Sequence, residues 1–389
     1  MQLKLIKILC LTVVLFLSAC SMITGIGTDN APDPTPLSSI KSPLFKPSLL
    51  HSQETGVGAD DLYYKFSMAL VCNQLYIVDA KGHASAIDVK SGKTSWAVAT
   101  KAHATSGVAA AENTVVFAAR GGKIYALDAQ NGQTQWVASA PNQVLSTPTI
   151  ADGKVFVKTV DGELIAFDRQ CGKTIWHYEH STPLYILRDS SAPKLVNNRL
   201  IVGFSDGKLA AYQANTGMLL WEQTIATPTG RGLMNQLVDI SANPELQQDT
   251  VYVVTYQGNI AAVSISSGEI RWEQPLSSYA GMVLTPQAVV VTEADGVVSA
   301  YAKSSGKQLW RQTGLQYRTV TGPAWQGDTV VVADKLGYVH WLSLCNGCFV
   351  ARAKTTNEPI LSTPFVNGPF VYVLNQKGKL YIYSIHNES

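Results

Sequence analysis

The chain has 389 residues, 46% of them hydrophobic and 15% charged, which is ample apolar material for one large domain or for two or three average ones. Its 30 Lys and Arg residues against 28 Asp and Glu leave a net charge of +2, with no basic stripe or polybasic run, so nucleic acid and anionic lipid are excluded as obvious partners. After the leader, no apolar run reaches the roughly 18 residues needed to cross a bilayer.

The first segment is "MQLKLIKILCLTVVLFLSAC". Lys4 and Lys7 precede an apolar run from Ile8 to Leu17, too short to span a membrane, and residues 1–19 read as a secretory signal. The end of the run, "LSAC", resembles the lipobox of bacterial lipoproteins. That resemblance implies cleavage before Cys20 and acylation of Cys20, and with Ser21 rather than aspartate next, sorting to the outer membrane. Several acyl chains would anchor stably, since each buried CH₂ contributes about 0.8 kcal/mol. Residues 20–56, with "TDNAPDPTPLSSIKSP", read as a flexible tether.

Residues 57–389 read as one repeat array. "GHASAIDVKSGKTSW" from Gly82, "GKIYALDAQNGQTQW" from Gly122 and "GELIAFDRQCGKTIW" from Gly162 share a glycine, a second glycine ten residues on and a tryptophan fourteen on. The tryptophans fall at Trp96, Trp136, Trp176, Trp221, Trp272 and Trp310; a seventh copy has Ala351 there, and an eighth, from Gly378, runs out of chain. Each unit alternates Val, Ile, Tyr and Phe runs with glycine turns, which predicts four short strands per repeat of about 40 residues, the pattern of a β-propeller blade. The fold class expected is all-β: an eight-bladed propeller of four-stranded antiparallel blades. Because the last copy has no room for its outer strand, the segment around Pro47–Gln53 is expected to supply it and close the ring. The tryptophans are expected to pack between blades, each burying on the order of 200 Å². Asp88, Asp128 and Asp168, four residues before the second glycine, are expected to accept turn amides. The A-x-D-x-x-x-G-x-x-x-W unit resembles the repeat of the pyrroloquinoline-quinone propellers, a blade that serves dehydrogenases and non-enzymes alike.

Chemistry is sparse along the array. His177 and His180 of "HYEH" point to opposite faces of a strand, and no third metal ligand is evident nearby. The pair in "CNGC", Cys345 and Cys348, is followed by Phe349 and not the histidine of a haem attachment motif. The two cysteines flank a predicted hairpin turn, where they would form a disulfide or remain an unpaired buried couple; Cys72 and Cys171 read as buried thiols. No nucleophile elbow, zincin motif or P-loop occurs, so the chain reads as a non-enzyme with no cofactor and no metal.

The spacings between first glycines are 40, 40, 45, 51, 38, 41 and 41. The two long intervals place insertions after Trp176 ("EHSTPLYILRDSSAP") and after Trp221 ("ATPTGRGLMNQLVDISANPELQQ"). Both join the outer strand of one blade to the inner strand of the next, so they are expected side by side on one face, the usual place for a binding surface in a repeat array. Leu184, Tyr185, Ile186 and Leu187 with Arg188, opposite Leu237 and Asp239, have the composition of a protein hot spot. The alternative is that they cap the propeller's own core, with Arg188 paired to Asp239.

The lipobox, the eightfold repeat and "LRDSSAP" together resemble the BamB family, lipoproteins of the outer-membrane β-barrel assembly machinery. The resemblance implies a lipid-anchored scaffold at the outer membrane, facing the periplasm. It also implies docking on the periplasmic POTRA domains of BamA, with Leu184, Tyr185, Leu187, Arg188, Leu237 and Asp239 as contacts. Through BamA it implies the other machine subunits as partners, and unfolded outer-membrane proteins as clients, whose extended chains could add to the disc's edges. The sequence departs from the family pattern at Tyr185, Gln236 and Ser241, where leucine, arginine and aspartate are usual. The competing reading is a periplasmic quinoprotein dehydrogenase or a relic of one.

Overall fold

A computed structural model describes residues 32–60, 64–183, 186–187, 190–230 and 236–385, and the compact body begins at Thr35. It consists of eight four-stranded sheets, seven of them simple antiparallel meanders: 69–99, 109–139, 149–178, 194–224, 245–276, 281–312 and 324–354. The eighth pairs residues 365–384 with a closing strand, Ser48–Glu54, from the other end of the chain. The fold is therefore an eight-bladed β-propeller.

The blades adhere through their faces. Apolar residues of neighbouring middle strands interlock, as in the cluster of Val116, Ile124, Val155 and Ile165 between blades 2 and 3. The last seam, between blades 8 and 1, joins Tyr372 and Ile382 to Leu75 and Ile87.

Each repeat tryptophan spans a seam. Trp136 lies on the turn glycine of the next blade so closely that a Cβ on Gly172 would fall 2.6 Å from its ring, and Gly172 also holds a φ of +70°. Only glycine meets both conditions. The indole N–H then donates to a carbonyl of that same blade, Arg169 O at 2.7 Å. Trp96, Trp176, Trp221, Trp272 and Trp310 repeat the arrangement, with bonds of 2.7 to 2.9 Å to Ala129, Ala214, Ile265, Lys303 and Leu344. Asp88, Asp128 and Asp168 cap the turns by accepting amides of Ser91, Gln130 and Gln170. The bonds of the Ser91 amide and hydroxyl hold the Asp88 carboxyl below its usual value.

Blades 7 and 8 solve the same packing problem differently. In the first six blades the tryptophan sits opposite an alanine of the adjacent strand, as Trp136 opposite Ala126. In blade 7 the pair is transposed: Ala351 stands on the outer strand opposite Trp341. In blade 8 the closing strand places His51 opposite Ile382, one residue past the same register slip that every blade shows, and His51 lies on Gly92 of blade 1.

The segment expected as a free tether is ordered from Thr35 onward as a strap over blades 6 and 7. The Thr35 N–H donates to Gln316 O and the Leu44 N–H to Val350 O. Arg318 and Arg352 donate to the carbonyls of Thr35 and Ser38. Leu37 packs on the seam between blades 6 and 7, and Phe45 on the cluster that holds Ala351 and Trp341, edge to face with Trp341 at 6.1 Å.

The cysteine expectations are corrected. Cys345 and Cys348 are free, exposed thiols, because Ser343 and not Cys345 faces Cys348 across the turn, the Ser343 N–H donating to Cys348 O at 2.8 Å. The turn is too long to set the two cysteines opposite each other. Cys72 and Cys171 are also exposed, not buried.

Candidate docking site

The two insertions leave blades 3 and 4 and lie against each other. The Ala192 N–H, at the end of the first, donates to the Asn243 side chain, at the end of the second, at 2.7 Å. Inside the pair, Ile240 of the second insertion fills the space beside Gly203, where a Cβ would fall 2.2 Å from its side chain.

The first insertion is rooted by His180. Its ring stacks on Phe204 of blade 4 with centroids 3.7 Å apart. Its Nε2 lies 3.2 Å from Asp206 and its Nδ1 3.8 Å from Glu222. Burial pushes the Asp206 carboxyl up, but the bond and charge of His180, with the Lys208 amide and ammonium, outweigh it and hold the group below its usual range. A second root is Lys158, a buried lysine of blade 3 that reaches across to the Ser191 hydroxyl at 3.2 Å and to the Gly203 carbonyl. Sequence reasoning weighed His180 only as a metal ligand and passed over Lys158. The signal was there for Lys158: a lysine at the end of the apolar run "KVFVK", whose other inward positions are buried.

The second insertion is tucked in more deeply. Val238, Asp239, Ile240, Ser241 and Ala242 are all buried, and the Tyr256 N–H donates to Asp239 O at 2.8 Å. Asp239 is only 2% exposed, and it lines a small cleft with Lys158, Phe204 and, from the first insertion, Ile186. Leu237 is half-buried beside it, and Ile186 and Leu187 are half-buried on the first insertion. Leu184, Tyr185 and Arg188 lie outside the described residues.

The two histidines of "HYEH" diverge, His177 reaching Glu163 at 3.2 Å and His180 reaching Asp206. A third potential ligand does lie near His177, contrary to expectation: Glu163, His177 and Glu179 bring one donor atom each to within 4.8 Å of one another. On the propeller axis, a cavity of about 250 Å³ is lined by Tyr64, Lys65, Thr105, Thr147, Asn243 and Tyr279 among others. The described lining offers hydroxyls, amides and one ammonium but no carboxylate and no cysteine, so these residues do not fit a metal-assisted quinone site of the dehydrogenase kind.

The geometry defines an eight-bladed β-propeller with its elaboration on two adjacent connections. Residues 80–312 and 294–389 match the family described as outer membrane protein assembly factor BamB. The assembly factor BamB of Legionella pneumophila is 38% identical over 380 residues, covering 96% of this chain and 98% of the relative. The crystal structure of BamB from Moraxella catarrhalis superposes with a TM-score of 0.80 at 25% identity, over 87% of this chain and 99% of that one. A quinohemoprotein alcohol dehydrogenase from Comamonas testosteroni, at 12% identity and a TM-score of 0.71 over 88% of this chain and 77% of its own, shares the fold alone. The chain belongs to the BamB family of outer membrane protein assembly factors.

Proposed function

We propose that the chain is a non-enzymatic scaffold of outer-membrane protein assembly, held at the membrane by lipid on Cys20, facing the periplasm, and docked on the POTRA domains of BamA through its two insertions. The observation that carries the reading is local. The two departures from an otherwise regular ring are bonded to each other through Ala192 and Asn243, Ile186 of the first shares a cleft with Asp239 of the second, and Leu187 and Leu237 on the same insertions are half-buried. An apolar cluster at such a place is what a partner's hot spot needs. Arg188, beside Leu187, supplies the charge, while Asp239 holds the second insertion from inside. Anchoring by lipid would raise the local concentration of the scaffold, so a modest interface suffices.

The test is a charge reversal on the folded chain. Arg188→Glu is expected to lose co-purification with BamA from detergent extracts while the protein keeps its wild-type thermal midpoint. Undiminished recovery of BamA with that variant would remove the docking assignment.

A further inference from the structure

Six seams of the ring are closed by a tryptophan of the preceding blade and the eighth by His51. The seventh has no such residue on its own outer strand and takes Phe45 from the strap. The strap also fits the neighbouring seam, between blades 6 and 7, incompletely: a hollow of about 340 Å³ remains between Ser38, Ile40 and Ser42 on one side and Gln312, Gly314 and Phe349 on the other. Arg318 and Arg352 each give one terminal nitrogen to a strap carbonyl, and the Nη2 of each is buried without an acceptor. Arg318 is itself only 4% exposed. Leu44, next to Phe45, leaves 68% of its surface in solvent.

The groove is also electrostatically unbalanced. Arg318, Arg352 and Lys354 gather around a single described carboxylate, Asp334, which Arg318 and His340 already engage at 2.7 and 3.1 Å. Buried guanidinium nitrogens that lack an acceptor call for a carboxylate, the group that matches their fork.

We infer that this groove is a receptor for an extended polypeptide segment carrying an aromatic residue and a carboxylate, and that the strap is its resident competitor. The incoming backbone would present carbonyls to Arg318 and Arg352 as Thr35 and Ser38 now do. Its aromatic ring would take the place of Phe45 against Trp341, and its carboxylate would satisfy the two idle Nη2 groups. The groove lies on blades 6 and 7, whereas the insertions leave blades 3 and 4, so it is independent of the docking reading, and loss of one leaves the other intact.

The probe is a fluorescein-labelled peptide of residues 35–46 carrying Ser38→Asp, titrated by fluorescence anisotropy into the full chain and into its Phe45→Ala and Leu44→Pro variants. Leu44→Pro removes the bond to Val350 O while leaving Phe45 in place, so the test survives if Phe45→Ala fails to fold. Weakening the resident strap frees the seat, and each folded variant is expected to bind the peptide about tenfold more tightly than the wild-type chain. A peptide that also lacks the phenylalanine is expected to bind about tenfold more weakly than the probe. No saturable binding to any chain, or equal affinity for wild type and variants, would overturn the inference. Dimerisation of the variants by light scattering in place of peptide capture would overturn it too, by giving the seat to a second copy's strap.

Discussion

His340 shows how a single side chain can be placed by its neighbours' charges. It is fully buried between Asp334, whose Oδ2 lies 3.1 Å from its Nε2, and Arg352, whose Nε donates to its Nδ1 at 3.1 Å. Burial lowers its pKa, and Arg352 and Arg318 lower it further against the pull of Asp334. Burial raises the Asp334 carboxyl, yet the hydrogen bonds of His340, the Tyr338 amide and Arg318 hold it below its usual value. The folded chain thus refuses a proton on His340 that the unfolded chain accepts below about pH 6.5. The neutral ring's contribution is full above that pH and is lost as pH falls toward the depressed folded value. Urea midpoints at pH 7.5 and 5.5 should show the wild-type chain losing more stability over that interval than His340→Gln, by at most about 1.4 kcal/mol. Equal slopes would mean that the ring takes up its proton alike in the folded and unfolded states, contradicting the depressed value.

At the scale of the blade, the repeat fixes a large residue and a small one in register, and blade 7 shows that their order can be exchanged. Ala351→Trp alone crowds the seam against Trp341 and Phe45 and is expected to cost about 1–3 kcal/mol. Trp341→Ala alone opens a cavity and is expected to cost about 3–5 kcal/mol. Together they restore the arrangement of the first six blades, so the double variant is expected to be more stable than the sum of the two losses allows, by more than about 1 kcal/mol in chemical denaturation. Strict additivity would contradict the transposition. The sequence announced this blade only as a missing tryptophan. Trp341 reads as one more apolar strand residue until the register sets it opposite Ala351. The strap was illegible for a related reason: a Ser- and Pro-rich segment has no periodicity of its own, and its order comes from Arg318, Arg352 and the empty seat at blade 7.

Across the whole molecule, the glycine and tryptophan spacing was enough to count eight blades, locate the closing strand and find the two insertions, because a repeat turns every departure into a measurable excess. It could not show which insertion residues turn inward. Asp239, which looks in sequence like a charged surface contact, is drawn in by its backbone bond with Tyr256, and His180 and Lys158 do the anchoring, of which only the lysine ending "KVFVK" gave a sign. What the ring then presents is one elaborated sector on blades 3 to 5, for which docking is proposed, and a strapped sector on blades 6 to 8. The docking claim is tested most directly by placing a photo-crosslinking residue at Leu187, at Leu237 and, as control, at the exposed Leu309 of blade 6. Irradiation of cells is predicted to give a BamA adduct from positions 187 and 237 and none from 309; an adduct from 309 with none from the insertions would contradict the account.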